Sequence, residues 1–109
     1  MEKIEINEYV RTTDGKIDKV LVLLEDNICL EKHKWCSDKY IAKHSKDIID
    51  LVEPGDVVEV LDIDWIRIFN IDNEDILVDF KEEIEEKNWK LLSILTKEQY
   101  KKNCYRVEE

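Results

Sequence analysis

KYIAKHSKDIIDLVEPGDVVEV, residues Lys39–Val60, is the stretch on which the fold turns. It holds the chain's only proline and one of its two glycines, adjacent at Pro54 and Gly55. Proline fixes φ at the first central position of a turn, and glycine accepts positive φ at the second. Glu53–Pro54–Gly55–Asp56 therefore reads as a type II turn. Ahead of it, Ile48, Ile49, Leu51 and Val52 have the spacing of one helical turn laid on a core. Ser45 stands where an N-cap would, Asp47 places a carboxylate in the first turn, and His44 reads as a further capping residue. The helical turn is short, because Pro54 disfavours helix at Glu53. Beyond the reversal, Val57–Ile63 and Trp65–Ile71 are strand-like, with Asp62 and Asp64 around their junction.

Upstream, Thr13–Asp14–Gly15 separates Glu5–Thr12 from Lys16–Leu24, and Asp-Gly between two apolar runs is a strong hairpin signal. Val20–Leu24 is continuous and apolar, as a buried strand would be. Asp26–Asn27 makes the next turn. Ile28–Lys43 reads as two short strands broken at Ser37–Asp38–Lys39. Downstream, Ile76–Phe80 reads either as a strand closing a hairpin across Asp72–Asn73 or as a helix in which Ile76, Phe80 and Ile84 line one face behind an Asp/Asn cap. The acidic run Glu82–Glu86 favours helix over about Glu74–Lys87. Leu91–Leu95 is a strand. Thr96 and Gln99 are spaced as in a capping box, which predicts a short helical turn. Tyr105–Val107 is an edge strand. The expected architecture is α+β and β-rich: a small bent antiparallel sheet or SH3-like barrel of six or seven strands, with one or two short helices.

The 109 residues fit a single globular domain, 1–109. Charged residues make up 40%, with 27 acidic against 17 basic, a net charge of −10. A field of that sign repels phosphate backbones and suits a protein partner with a basic groove. The N-terminal MEKIEINEYV is no signal peptide, and no run is apolar enough to span a bilayer, so a cytoplasmic protein is expected. The odd set Cys29, Cys36 and Cys104 reads as free thiols in a reducing compartment.

Three segments resemble a known group: EYVRTTDGKIDKV (Glu8–Val20), IAKHSKDIIDLVEPGDVV (Ile41–Val58) and LLSILTKEQY (Leu91–Tyr100). They are similar to small, uncharacterised proteins encoded by phages and prophages of low-GC Gram-positive bacteria. The resemblance implies a phage origin, a bacterial host cytosol and a small β-rich fold. It brings no catalytic residue with it. The stretches Cys29–Cys36 and Trp65–Trp89 lie largely between the matching segments and are where an individual function would sit.

Chemistry-bearing residues are sparse. Cys29, His33, Cys36 and His44 give C-x3-H-x2-C-x7-H, four ligand types for zinc in a spacing that fits no common finger. In a continuous strand Cys29 and His33 would share a face and Cys36 would not. The expectation is packed thiols, no metal and no cofactor. Cys36 with His33 or His44 and an aspartate would fill the roles of a thiol nucleophile, but no glycine-rich oxyanion loop accompanies them. No enzyme activity is expected.

The stronger pattern is regional. From Asp50 to Glu86 the chain has 14 acidic residues against Arg67 and Lys81 alone. A partner surface is expected at Asp62, Asp64, Asp72, Glu74, Asp75, Glu82, Glu83, Glu85 and Glu86, with Trp65 as an apolar anchor. The function these residues point to is nucleic-acid mimicry. A small acidic protein would block a basic, nucleic-acid-binding defence enzyme of the host, in anti-CRISPR or anti-restriction fashion. The alternative is a non-catalytic phage interaction or assembly module, acting through strand edges, self-association or Trp35 and Tyr40.

Overall fold

The computed structural model describes residues 3–99. Cys104 and the strand expected at Tyr105–Val107 lie outside the described residues. The chain divides into two units, Met1–Leu51 and Val52–Glu109.

The first unit is a five-stranded antiparallel sheet. Its strands are β1 (Tyr9–Thr12), β2 (Ile17–Leu24), β3 (Asn27–Leu30), β4 (Lys34–Ser37) and β5 (Ile41–Ser45), in the order β4-β3-β2-β1-β5. The Asp-Gly signal holds: Thr12 and Lys16 close the β1–β2 hairpin by a 2.9 Å backbone bond, and Gly15 takes φ 86°. A register shift between Val20 and Val22 bends β2. The bent sheet is open, not a closed barrel, and it wraps a core of Ile4, Val10, Val20, Ile28, Leu30 and Ile41. Burying each such side chain contributes about 1.5–3 kcal/mol.

Two details depart from the sequence reading. Cys29–Cys36 is not one strand but the β3–β4 hairpin, which makes three strands of Ile28–Lys43 where two were expected, and eight in the described residues. Its turn is held from a distance. The Asp18 carboxylate accepts the backbone N–H groups of Lys32 and His33, each at 2.8 Å. The turn before Pro54 is a 3-10 turn, Ile48–Leu51, and its cap is Asp47, whose Oδ1 accepts the Ile49 N–H at 3.1 Å. Ser45 instead ends β5 and accepts the Asp47 N–H through Oγ. The buried Arg11 donates to the Leu51 carbonyl at 2.9 Å and ties this turn to β1.

The second unit starts at the Pro54–Gly55 turn, where Gly55 has φ 100° and Asp56 N–H returns to the Glu53 carbonyl at 3.1 Å. It contains β6 (Val57–Asp62), β7 (Trp65–Asn70), α1 (Glu74–Glu86) and β8 (Lys90–Leu95). The order β7-β6-β8 is antiparallel at both pairings, so β7 and β8 run parallel to each other and α1 is the crossover between them. Val58 and Val60 are fully buried beneath Leu77, Phe80 and Ile84 of the helix. Phe69, opposite Val58, meets Phe80 at 5.6 Å and stacks on Trp89 at 5.4 Å. The expected helical turn follows β8 at residues 97–99.

Candidate partner surface

α1 is built by local chemistry at both ends. The Asn73 side chain accepts the Ile76 N–H at 3.0 Å, an N-cap. At the other end Asn88 takes φ 55°, with Asn88 N–H on the Glu85 carbonyl and Trp89 N–H on the Ile84 carbonyl. That is a Schellman motif, with Asn in the left-handed position glycine usually takes.

Between these ends the residues sort by angle. Leu77, Phe80 and Ile84 face the sheet. At about 100° per residue, Asp75, Asp79, Glu82 and Glu86 fall in one row on the opposite side. All four are exposed. Steps of three and four residues place neighbouring acids about 5–6 Å apart, and the row runs for about 16 Å. Among the described residues none of the four is in an ion pair. Glu74 and Glu85 are exposed on the flank of this row, and Asp72 is exposed just before the helix. Glu83 is half-buried and lies 3.8 Å from Lys87.

Glu74 and Asp75 in the first turn suit the helix dipole, but the acids at its other end are placed against it. Its last turn contains Glu83, Glu85 and Glu86 and no basic residue. Carboxylates near a helix C-terminus oppose the macrodipole, at about 0.3–1 kcal/mol each. Like charges at i,i+4, as in Asp75–Asp79 and Glu82–Glu86, cost about 0.2–0.5 kcal/mol per pair. A face chosen only for solvation would not need that arrangement.

The remaining expected residues sit at the β6–β7 hairpin. Asp62 is tied to Arg67 by a 2.8 Å bond from Nε, so its charge is locally balanced. The Arg67 guanidinium lies 5.7 Å from the centre of the Trp89 ring. Asp64 is exposed in the two-residue loop, and Trp65 is 74% exposed on the sheet face that carries α1. This end of the sheet is the one to which the helix C-terminus returns, since Leu61 pairs with both Ile66 and Lys90.

Two residues were missed by the sequence reading. Asp79 completes the acidic row; its position between Asp75 and Glu82 at helical spacing was the available signal. Ile63 occupies the hairpin loop at φ 58° and is 86% exposed. Left-handed backbone is a strained choice for a β-branched residue, and Gly or Asn is usual there. Strain combined with exposure makes Ile63, beside Trp65, a candidate for that surface.

The cysteine–histidine set does not assemble. Cys29 and Cys36 lie opposite Trp35 and Ile28, on different faces of the hairpin. His33 Nδ1 is 2.7 Å from the buried Asp18 carboxylate, and His44 Nδ1 is 3.0 Å from Glu8. Among the described residues no cluster of three or more His, Cys, Asp or Glu side chains is placed to hold a metal ion. Burial opposes charge on Asp18, but the N–H groups of Lys19 and Lys32, then the His33 ring and N–H, outweigh it and hold the carboxyl below the usual range. Burial, with Asp14, Asp18 and Asp38 nearby, pushes the Cys36 thiol up, away from the thiolate a nucleophile needs.

No protein-family model matches this chain, and no curated protein or solved structure is found similar to it. Among the described residues no helix is long and apolar enough to cross a membrane.

Proposed function

We propose that the chain is a phage-type inhibitory binding protein that occupies the basic groove of a bacterial nucleic-acid-binding defence enzyme, such as a CRISPR or restriction nuclease. The observation that carries this reading is the exposed, unpaired row Asp75–Asp79–Glu82–Glu86. A nucleic-acid strand presents one phosphate per about 3.4 Å of duplex axis. One carboxylate per about 5–6 Å of helix, with Glu74 and Glu85 alongside, offers a comparable ladder to Lys and Arg side chains spaced for phosphates.

Binding needs no bond making. The groove's cations exchange their counterions for fixed carboxylates, and the acidic field steers the encounter. Trp65 and Ile63 supply the apolar contact that charge alone lacks. Resemblance of the quoted segments to phage and prophage proteins agrees with such a role.

The test is affinity capture from a Gram-positive lysate at low salt, about 50 mM, and high salt, about 500 mM. The quadruple variant D75N/D79N/E82Q/E86Q is run beside the native chain. The expected partner binds nucleic acid, is released by high salt, is not retained by the variant, and loses its DNA when the native protein is added. Unchanged capture by the variant at both salt concentrations refutes the proposal.

A further inference from the structure

Among the described residues the sheet of the second unit has two edges, β7 and β8, and they are built differently. β8 carries Lys90 and a register shift opposite Glu59 and Val60. A lysine and a bulge are common ways of blunting an edge against further pairing. The edges of the first sheet are blunted too. β4 has four residues beginning at Lys34, and β5 carries Lys43 and a register shift against Arg11 and Thr12.

β7 has none of these devices. It is six residues long and pairs with β6 without interruption from Trp65 to Asn70. It contains no proline, and its one charge, Arg67, is turned to the helix side, bound to Asp62 and set over Trp89. On the other face it displays Ile66 and Ile68, 61% and 63% exposed. They lie opposite Leu61 and Glu59, and Val57 continues that face.

We infer that β7 pairs antiparallel with β7 of a second copy of this chain, joining two three-stranded sheets into one of six strands. A two-fold axis satisfies both β7 edges at once and, among the described residues, leaves the blunted β8 edges outside, which closes the assembly. Side chains directly opposite in a ladder share a face, so the register must be even. Ile68 across from Ile68 keeps Ile66 and Ile68 of both copies in one apolar patch and sets Arg67 across from Phe69, not from a like charge. The strand itself brings no carboxylate to the seam. Its exposed residues on that face are apolar, which a second apolar strand fits. Five residues per strand, Ile66–Asn70, pair in this register, which buries well under the ~800 Å² per partner of a standard interface, so the dimer is weak and concentration-dependent.

This inference is independent of the acidic row and carries the opposite salt signature. Each copy has a net charge of −10, so salt relieves repulsion and strengthens the dimer. Salt weakens capture of a basic partner.

Sedimentation velocity on the native chain, from about 5 to 500 µM, reads the association. The expected result is a monomer–dimer equilibrium that tightens at high salt. Ile68→Lys should weaken it by about tenfold or more, because it supplies the missing edge charge. Ile66→Lys serves as the second variant, and both sites are exposed enough to leave the monomer's circular dichroism unchanged. Leu92→Lys, on β8, should leave the equilibrium as it was. A native chain that stays monomeric at the highest concentration and both salt conditions overturns the inference. So does a dimer that survives both β7 lysines, or one abolished by Leu92→Lys alone.

Discussion

Removing the acids at the end of α1 should make the protein more stable while making it a worse binder. The perturbation is the triple variant E82Q/E85Q/E86Q. Glu85 and Glu86 stand in the last helical turn, where no basic residue offsets them. Each removed charge recovers about 0.3–1 kcal/mol of macrodipole repulsion at low salt. Glu82 adds like-charge spacings to Asp79, Glu85 and Glu86, each about 0.2–0.5 kcal/mol. Together the gain is about 1–3 kcal/mol, a rise in Tm of about 4–8 °C per kcal/mol for a domain of this size. The assay is urea denaturation, read by tryptophan fluorescence at low and high salt. Trp89 reports on this end of the helix, because it packs beneath Lys87 and against Phe69. The gain should shrink at high salt, since exposed charges are screened beyond about 8 Å at physiological ionic strength. Glutamine has nearly the same helix propensity as glutamate, so propensity does not confound the result. A variant that is less stable than the native chain, or equally stable at low salt, refutes the claim that these acids are held at a cost.

Two other perturbations follow from the structure. Ile63→Gly relieves left-handed strain in the β6–β7 loop and removes an exposed apolar side chain; stability should rise by about 1 kcal/mol while partner capture weakens, both read on the same preparation. Asp18→Asn tests the carboxylate that holds the β3–β4 turn. Its folded pKa lies below the ordinary 3.8, so its contribution is complete above that value and is lost as pH falls below it through the lowered folded pKa. The native chain should therefore exceed the variant in urea midpoint at pH 7 and lose that advantage progressively only as the pH falls below 3.8. A difference that persists unchanged at low pH would contradict the assignment.

What the sequence disclosed depended on how local the cause was. The Asp14–Gly15 and Pro54–Gly55 reversals were legible because proline and glycine impose backbone geometry on their own. The helix was legible from the Asn73 cap and the spacing of Ile76, Phe80 and Ile84. β4 was not, because Glu31–Lys32–His33 contains no turn-forming residue. That turn is made by Asp18, which lies 14 and 15 residues from the N–H groups it accepts. The contact of His44 with Glu8 was hidden for the same reason: the two are 36 residues apart. The acidic surface was visible as a composition, but the row required a helix face, and only the face brings Asp79 in. Ile63 looked like the end of a strand because nothing in its side chain announces positive φ.

Asp56 has a consequence for how such a unit travels between proteins. Its buried carboxylate accepts the Glu53 N–H at 2.8 Å through one oxygen and the Lys97 N–H at 2.9 Å through the other. Lys97 Nζ returns to the Glu53 carboxylate at 3.2 Å. The chain thus enters β6 and leaves β8 at a single point, clasped by one side chain. A module whose ends meet is suited to being inserted, duplicated or lost as a block, because a host loop need only open at one place to receive it. The acidic helix and the unblunted strand would then move together, as a cassette that changes what a small protein binds without redrawing the rest of its sheet.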